Sequence, residues 1–253
     1  MLEDMKIEYG VEIHHDGDLP ARSGLGSSSS FTVGLINALN AQAGRMVSKD
    51  RLAREAIRIE QDVIQENVGS QDQIWAAYGG MNHIEFSRDG GFAVRPVIMP
   101  AERRDHMLGS LMLFFTGLSR YAHKVAGDKI ANLDSHESHV RAIMAMTDEG
   151  LDILSNHDRA LDDLGRLLHE SWMVKRELAS SVTTPEVDAI YQAAMEGGAL
   201  GGKLLGAGGG GFILFYVEPG KQQAVRDKLA GLVEVHFKID ADGSRIVVYE
   251  PEL

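Results

Sequence analysis

Three groups of residues in this chain have types and spacings suited to phosphate chemistry. The first is DLPARSGLGSSSSFTVGL, which begins at Asp18 and sets Gly24-Leu25-Gly26 ahead of four consecutive serines at 27–30. Glycines let a backbone turn tightly and approach a ligand closely. A helix that follows such a turn offers unpaired N–H groups and the positive end of its dipole to an anion. Serine hydroxyls at that boundary donate to phosphate oxygens or join the shell of a Mg²⁺. A flexible linker and a serine-rich helix cap are the other readings of the same letters. No Gly-Lys-Ser/Thr follows the glycines, so this is not a Walker A loop. It is no dinucleotide fingerprint either, because the third glycine is misplaced and no acidic ribose partner is evident.

The second group is acidic. The apolar stripe of the second helical stretch holds Leu52, Ala53, Ala56, Ile57, Val63 and Ile64, and Glu60 falls on it, three, four or seven residues from Ala53, Ala56, Ile57 and Ile64. A buried carboxylate is costly unless it is paired or bound to a cation. A metal ligand explains it, as does an internal salt bridge or a stripe edge wetted by solvent. Asp72 lies twelve residues on, within GSQDQ. By itself a loop aspartate reads as a turn or cap residue. The third group is GGALGGKLLGAGGGGFILFYV, from Gly197, with Gly206, Gly208, Gly209, Gly210 and Gly211 ahead of an apolar run. Glycines this dense raise the entropy cost of ordering the chain. Close approach to a ligand or another backbone accounts for them, and so does a glycine-rich sheet crossover. His136 and His139 in HESH lack a third ligand and read as a surface helix.

These residues need elements to hold them. Residues 5–13 alternate as a strand, with His14-His15 ending it. Phe31, Leu35, Ala38 and Leu39 recur at helical spacing up to a stop at Gly44. Ser48 caps a second helix reaching about residue 67, and VGSQDQIWAAYGG leads from a loop into a short third one. A hairpin is expected over 82–98, turning at Asp89-Gly90-Gly91, and a buried strand at SLMLFFTG. Residues 123–195 read as three helices, broken near Asn156-His157-Asp158 and near Thr184-Pro185. FILFYV is a strand, 220–232 a helix, and VEVHFKID and SRIVVYE two strands joined through Asp242-Gly243. Strands and helices are partly segregated, which implies an α+β fold with two subdomains, 1–102 and 103–253.

Composition bounds the function. The 253 residues are 44% hydrophobic and 25% charged, with no cysteine, so disulfide and thiolate chemistry are excluded. A net charge of −12 without a basic stripe argues against nucleic-acid binding. No run reaches the roughly 18–20 apolar residues of a membrane span. No signal peptide is recognisable, and a cytoplasmic location is expected.

The stretches together resemble the GHMP kinases (galacto-, homoserine, mevalonate and phosphomevalonate kinases). The family's phosphate motif is matched by Pro20-Ala21-Arg22-Ser23-Gly24-Leu25-Gly26-Ser27-Ser28, and its late glycine motif by residues 203–211. With GSQDQIWAAYGGMNHIEF and FFTGLSR added, the nearest resemblance is to the sugar kinases of D-glycero-D-manno-heptose 7-phosphate, whose product feeds bacterial surface glycans. The resemblance implies an N-terminal α/β subdomain and a C-terminal ferredoxin-like α+β subdomain. It implies ATP and Mg²⁺, and transfer of the γ-phosphate to the anomeric C1 hydroxyl of a sugar phosphate. Another family acceptor, such as fucose, galactose or mevalonate, and a non-catalytic ATP- and sugar-binding role are the alternatives.

Residue by residue, the resemblance makes Asp72 the catalytic aspartate and Glu60 and Ser28 the Mg²⁺ ligands. ATP phosphates would meet Ser23, Gly24, Leu25, Gly26, Ser27, Ser28 and Ser29, with Ser27 and Ser28 facing them and Ser29 and Ser30 mostly starting the helix. The sugar phosphate would meet Arg22, Gln71, Thr116, Gly117, Arg120, Gly206, Ala207, Gly208 and Gly209. A remote phosphate needs a cationic clamp. Arg22, Arg120 and Lys175 are the candidates, with solvated surface cations as the other reading of Arg120 and Lys175. The expected partners are ATP and the sugar phosphate, with a homodimer compatible. The family carries a further N-terminal segment, with its first strands and a basic residue near the transferred phosphate, ahead of the part matched here. An unprotected sheet edge and weak or no turnover by these 253 residues alone are therefore expected.

Overall fold

The computed structural model describes residues 1–19, 24–118 and 136–250, so the site candidates Arg22, Ser23 and Arg120 lie outside the described residues. Two compact units form. One comprises Met1–Ala21, Gly26–Gly79 and Asp242–Leu253, the other Arg22–Leu25 and Gly80–Ala241.

The first unit is helical. Helix α1 runs over Ser27–Gln42, α2 over Lys49–Arg58 and α3 over Gln71–Tyr78. Ser48 caps α2 as its sequence position suggests, its hydroxyl accepting from the Arg51 N–H. The core lies where the three helices meet. Val33, Ile36, Leu52, Ala53, Ala56, Ile59, Ile74 and Ala77 are all 2% exposed or less. Full burial of each large aliphatic contributes about 1.5–3 kcal/mol. The second helix does not continue as α-helix to residue 67. It widens into a π-helical turn at Ile59–Val63, with Ile64 N–H bonded to Ile59 O at 2.8 Å. The extra residue in that turn shifts the helical phase. Ile59 and Glu60 stay inside while Val63 and Ile64, expected on the buried stripe, are 45% and 52% exposed.

Both ends of the alternating pattern depart from expectation. Residues 5–13 form no strand: the chain starts in turns closed by Met5 N–H to Met1 O and Ile7 N–H to Leu2 O, and His14-His15 ends none. Arg58 pairs with Asp4 and pins these turns to α2. Alternation proposes a strand, but a ladder partner must satisfy its N–H and C=O groups, and none pairs with 5–13 among the described residues. SRIVVYE likewise forms no strand, and Val247 and Val248 are 79% and 72% exposed. Its start is nonetheless tied down, with Ser244 N–H on Ala76 O at 2.9 Å and Lys49 Nζ on Tyr78 O and Asp242 O, both at 2.8 Å.

The second unit holds the sheets. Strands β1 (Asn82–Phe86) and β2 (Phe92–Pro96) make the expected hairpin, in register from Asn82↔Pro96 to Phe86↔Phe92. Helix α4 (Ala101–Gly109) is one the sequence does not announce, since Met107 is its one fully buried residue. Then follow β3 (Leu111–Phe115), α5 (Glu137–Ser155), α6 (Asp162–Glu177), α7 (Pro185–Glu196), β4 (Gly201–Leu204), β5 (Phe212–Tyr216), α8 (Gln222–Lys228) and the two-residue β6 (Val233–Glu234). The helix breaks fall where the sequence places them, and Thr184 caps α7 with Pro185 in its first turn. VEVHFKID contributes Val233 and Glu234 alone to the sheet, opposite Phe115 and Phe114.

The four-stranded sheet has the order β4-β5-β3-β6 and is antiparallel throughout. Side chains alternate across it. Met112, Phe114, Ile213 and Phe215 join Trp172, Val187, Tyr191 and Val225 in the main core, while Tyr216 joins Met107 and Leu161 in a second cluster. Strand β4, made of Gly-Gly-Lys-Leu, has no β-forming signature. It is a strand because its glycines let α6 lie flush on it: a Cβ on Gly201 would overlap Gly165 O and come within 2.9 Å of His169 Cβ.

Gly201→Ala should therefore lower stability by about 1–3 kcal/mol or more. Gly34→Ala, on the face of α1 where nothing lies within 4 Å, should be neutral or stabilise by up to about 1 kcal/mol. Urea unfolding midpoints report both, and equal midpoints would contradict close packing of α6 on β4.

Candidate functional site

In the first unit the expected acids meet the serine run. Gly26 starts α1 in the left-handed region (φ 69°), and its carbonyl accepts the first helical bond, from Ser30 N–H at 2.9 Å. Among the described residues no side chain caps this end, and no acid lies in its first turn. Ser27 is half-buried and Ser28 exposed, which leaves the turn able to receive an anion. Asp72, in the first turn of α3, lies directly against it. A Cβ on Gly26 would stand 3.1 Å from Asp72 Cγ and 3.2 Å from Oδ2. Only glycine leaves that room. Burial raises the Asp72 carboxyl above its ordinary range, partly offset by the amide of Gln71, whose Nε2 is 3.5 Å from Oδ1.

Glu60 is 2% exposed on the π turn. Ser29 Oγ donates to its Oε2 at 2.9 Å, and Gln73 Nε2 donates to the same oxygen. Its other oxygen, Oε1, has no hydrogen-bond partner among the described residues. Ser29 is thus the serine committed to protein: it shares the inward face of α1 with Val33 and Ile36, four and seven residues on. Among the described residues Glu60 is held by hydrogen bonds to neutral groups and by no salt bridge, so its place on the apolar stripe is real even though the stripe is out of phase beyond it.

In the second unit the late glycines pack as a loop of bare backbone. Gly206 (φ 60°) lies against Gly24, where a Cβ would come within 2.7 Å of Gly24 O. Gly209 N–H bonds Val182 O and Gly211 N–H bonds Leu118 O, each at 2.8 Å. A Cβ on Gly208 would press on Val182 O, and one on Gly210 on Leu118 O. Close approach to other backbone accounts for Gly206, Gly208 and Gly210, and Gly24 of the serine loop is one of the neighbours. Ala207 packs against the main core. Thr116, buried, donates from Oγ1 to Gly211 O at 2.8 Å, and Gly117 follows at φ 72°.

Lys175 is not a solvated surface cation. It is 8% exposed, and its Nζ donates to Leu204 O and Gly206 O, both at 2.8 Å. That makes it a brace for the glycine loop, and a lysine among apolar neighbours on a helix was the available signal. His139 pairs with Glu177 at 2.7 Å on an exposed helix face, as its surface reading implies. Gln73 is the buried site residue to which sequence reasoning assigned no role; an uncharged amide on a helix face carries no flag.

Comparison with known proteins follows the same lines. Residues 1–80 match the model of the GHMP kinases N terminal domain and residues 152–234 that of the GHMP kinases C terminal domain. The chain is 31% identical over 218 residues to D-glycero-alpha-D-manno-heptose 7-phosphate kinase of Campylobacter jejuni, covering 86% of this chain and 64% of that protein. It is 29% identical over 237 residues to L-fucokinase/L-fucose-1-P guanylyltransferase of Bacteroides fragilis, covering 89% of this chain and 24% of the relative. The crystal structure of a D-glycero-D-manno-heptose 1-phosphate kinase from Bacteroides thetaiotaomicron matches with a TM-score of 0.63 at 25% identity, covering 96% of this chain and 69% of that one. The chain thus spans less than two thirds of the first two relatives. Both domain models are met in order, and the chain belongs to the GHMP kinase family.

Proposed function

We propose that the chain is an ATP-dependent sugar-phosphate kinase that phosphorylates the anomeric C1 hydroxyl of D-glycero-D-manno-heptose 7-phosphate to give the 1,7-bisphosphate. The observation that carries the reading is the Asp72 carboxylate lodged against Gly26 at the uncapped start of α1. It sets a proton acceptor beside a turn suited to phosphate. The family match supports phosphoryl transfer, and the names of two relatives support a heptose phosphate acceptor.

Phosphoryl transfer asks a protein mainly for positioning and charge neutralisation. In the proposed reaction the C1 oxygen forms a bond to the γ-phosphorus while the bond from that phosphorus to the ADP oxygen breaks. Asp72 orients the hydroxyl and takes its proton. An anomeric hydroxyl is more acidic than an ordinary alcohol, so a carboxylate is an adequate base. The N–H groups at the start of α1, with Ser27 and Ser28, are assigned to the phosphates. Glu60 and Ser28 would hold Mg²⁺, and the buried unbonded Oε1 of Glu60 fits that ion's preference for hard oxygens. The ion, when bound, neutralises charge on the β- and γ-phosphates. Gly206, Ala207, Gly208 and Gly209, with Gln71, Thr116 and Gly117, are assigned to the acceptor side.

An ADP-release assay across heptose 7-phosphate, heptose 1-phosphate, L-fucose, galactose and mevalonate tests the acceptor. It should be run on these residues and on the chain extended N-terminally with the corresponding segment of the Campylobacter relative. Heptose 7-phosphate should give the highest kcat/KM, and the extension should raise turnover. Best turnover on any other acceptor sinks the heptose assignment. No turnover by either chain, with ATP bound, favours a binding protein.

Asp72→Asn should cut turnover by about 10²- to 10⁴-fold with ATP binding retained. The same change should raise the melting temperature at pH 7. Because burial raises the folded-state carboxyl, ionising it costs stability as pH rises above the unfolded value of 3.8. The cost is absent below that value, where both states are protonated. The gap between variant and parent should therefore close toward acidic pH, and an unchanged melting temperature at pH 7 would contradict the burial of the charge.

A further inference from the structure

Away from the serine turn, a cavity of about 230 Å³ opens in the first unit beside the end of α1. Three guanidiniums line it: Arg45 from the turn after α1, and Arg51 and Arg58 from α2. Arg51, Glu55 and Arg58 follow one another at helical spacing, so a single face of α2 presents all three. The charges of the wall do not cancel. Its two acids, Asp4 and Glu55, both pair with Arg58, Glu55 at 2.8 Å. Among the described residues neither Arg45 nor Arg51 pairs with a carboxylate. A positive concavity therefore stands on a chain of net charge −12. Buried structure holds its wall in place. Asn40 is 7% exposed, and its Nδ2 donates to Ile36 O at 2.8 Å, which leaves Oδ1 to accept from Arg45 Nε at 3.1 Å. Gly44, at φ 68°, reverses the chain so that Arg45 N–H closes on Asn40 O at 2.9 Å. The carbonyls of Leu39, Asn40 and Ala41 all accept cap N–H groups, so the negative end of α1 is closed by its own backbone.

We propose that this cavity is a separate anion site, which takes a phosphate group, free or at the end of a small ester, between Arg45, Arg51 and Arg58. Guanidinium forks match the paired oxygens of a phosphate. The volume is below the roughly 300–1,000 Å³ of pockets for larger organic ligands, and suits one such group. Asn40 lies about 20 Å along α1 from Ser27, so the site is distinct from the serine turn. A bound phosphate ties the end of α1 to α2, and nothing in the proposal depends on the kinase reading.

The test is calorimetric titration of the full chain with sodium phosphate and with glycerol 3-phosphate, in NaCl at fixed ionic strength. Two or three charge-assisted contacts predict a Kd of about 1 mM or tighter. Arg45→Gln and Arg51→Gln should each weaken binding by about tenfold or more. The Arg51 side chain makes no hydrogen bond among the described residues, so its loss strands no partner, and Arg51→Gln decides if Arg45→Gln fails to fold. Arg54→Gln removes the same charge from the same helix outside the cavity wall, and should bind like the parent. Binding of both probes, or of either alone, supports the site; the stronger one names the occupant as ester or free ion. The proposal is overturned if neither probe binds the parent, if Arg51→Gln stays within about twofold of it, or if Arg54→Gln loses as much. Phosphate held at the serine turn instead gives the second result and so counts against it. None of these readouts involves ATP or turnover. Absent kinase activity with the arginine differences intact removes the kinase reading alone, and full turnover without them removes this one alone.

Discussion

Two donors on a single oxygen of Glu60 organise the first unit. Ser29 comes from α1, Glu60 from the π turn that ends α2, and Gln73 from α3. A carboxylate at 2% exposure carries a large desolvation penalty, so this arrangement persists only while the three elements stay docked. The apolar contacts among Val33, Ile36, Leu52, Ile59 and Ile74 supply the docking. Polar convergence then fixes which way the helices are rotated. With the rotation fixed, Asp72 is carried to Gly26, and the first turn of α1 gains its acidic neighbour.

The second unit solves a different problem, with backbone rather than side chains. Gly165 and Gly201 let a helix rest on a strand, and residues 206–211 thread between Gly24, Val182 and Leu118 with carbonyls where side chains would stand. Such packing has little tolerance, since an added methyl has no cavity to enter. It also turns several carbonyls inward, and Lys175 answers two of them at once. A charged brace at that point resists opening of the loop better than an apolar side chain of the same length, because leaving would strand buried carbonyls.

What the sequence discloses depends on whether a feature is local. Ser48 before α2, Pro185 after Thr184, and Asp89-Gly90-Gly91 between two short strands are each self-contained signals, and each stands where expected. Glu60 is legible because a charge among alanines and isoleucines violates the pattern around it. The π turn is not, because one residue of helical overhang leaves no mark in composition, and Val63 and Ile64 were assigned to the wrong face for that reason. Gly201 and Gly202 hide a strand since their role is to be absent, Gly201 beneath α6 and Gly202 against Leu214 and Phe215 of β5. Residues 5–13 show the reverse error: alternation is a property of the chain itself, whereas a strand is a property of a pair. The division of labour among the serines was beyond reach as well, because Ser29 differs from Ser28 only in its angle around α1.

The return of the chain to its first unit has a bearing on how the molecule is made. Residues Asp242–Leu253 belong with Gly26–Gly79, and Ser244 closes on Ala76 and Asn37 only after all of Gly80–Ala241 has intervened. On the ribosome the helices of the first unit emerge early but wait for that late strap, while the second unit can finish on its own. Closing so distant a contact is slow and entropically unfavourable. For the interval between, the carbonyl of Ala76 and the amide of Asn37 lack the partner that Ser244 supplies, and synthesis order rather than final stability sets how long they do.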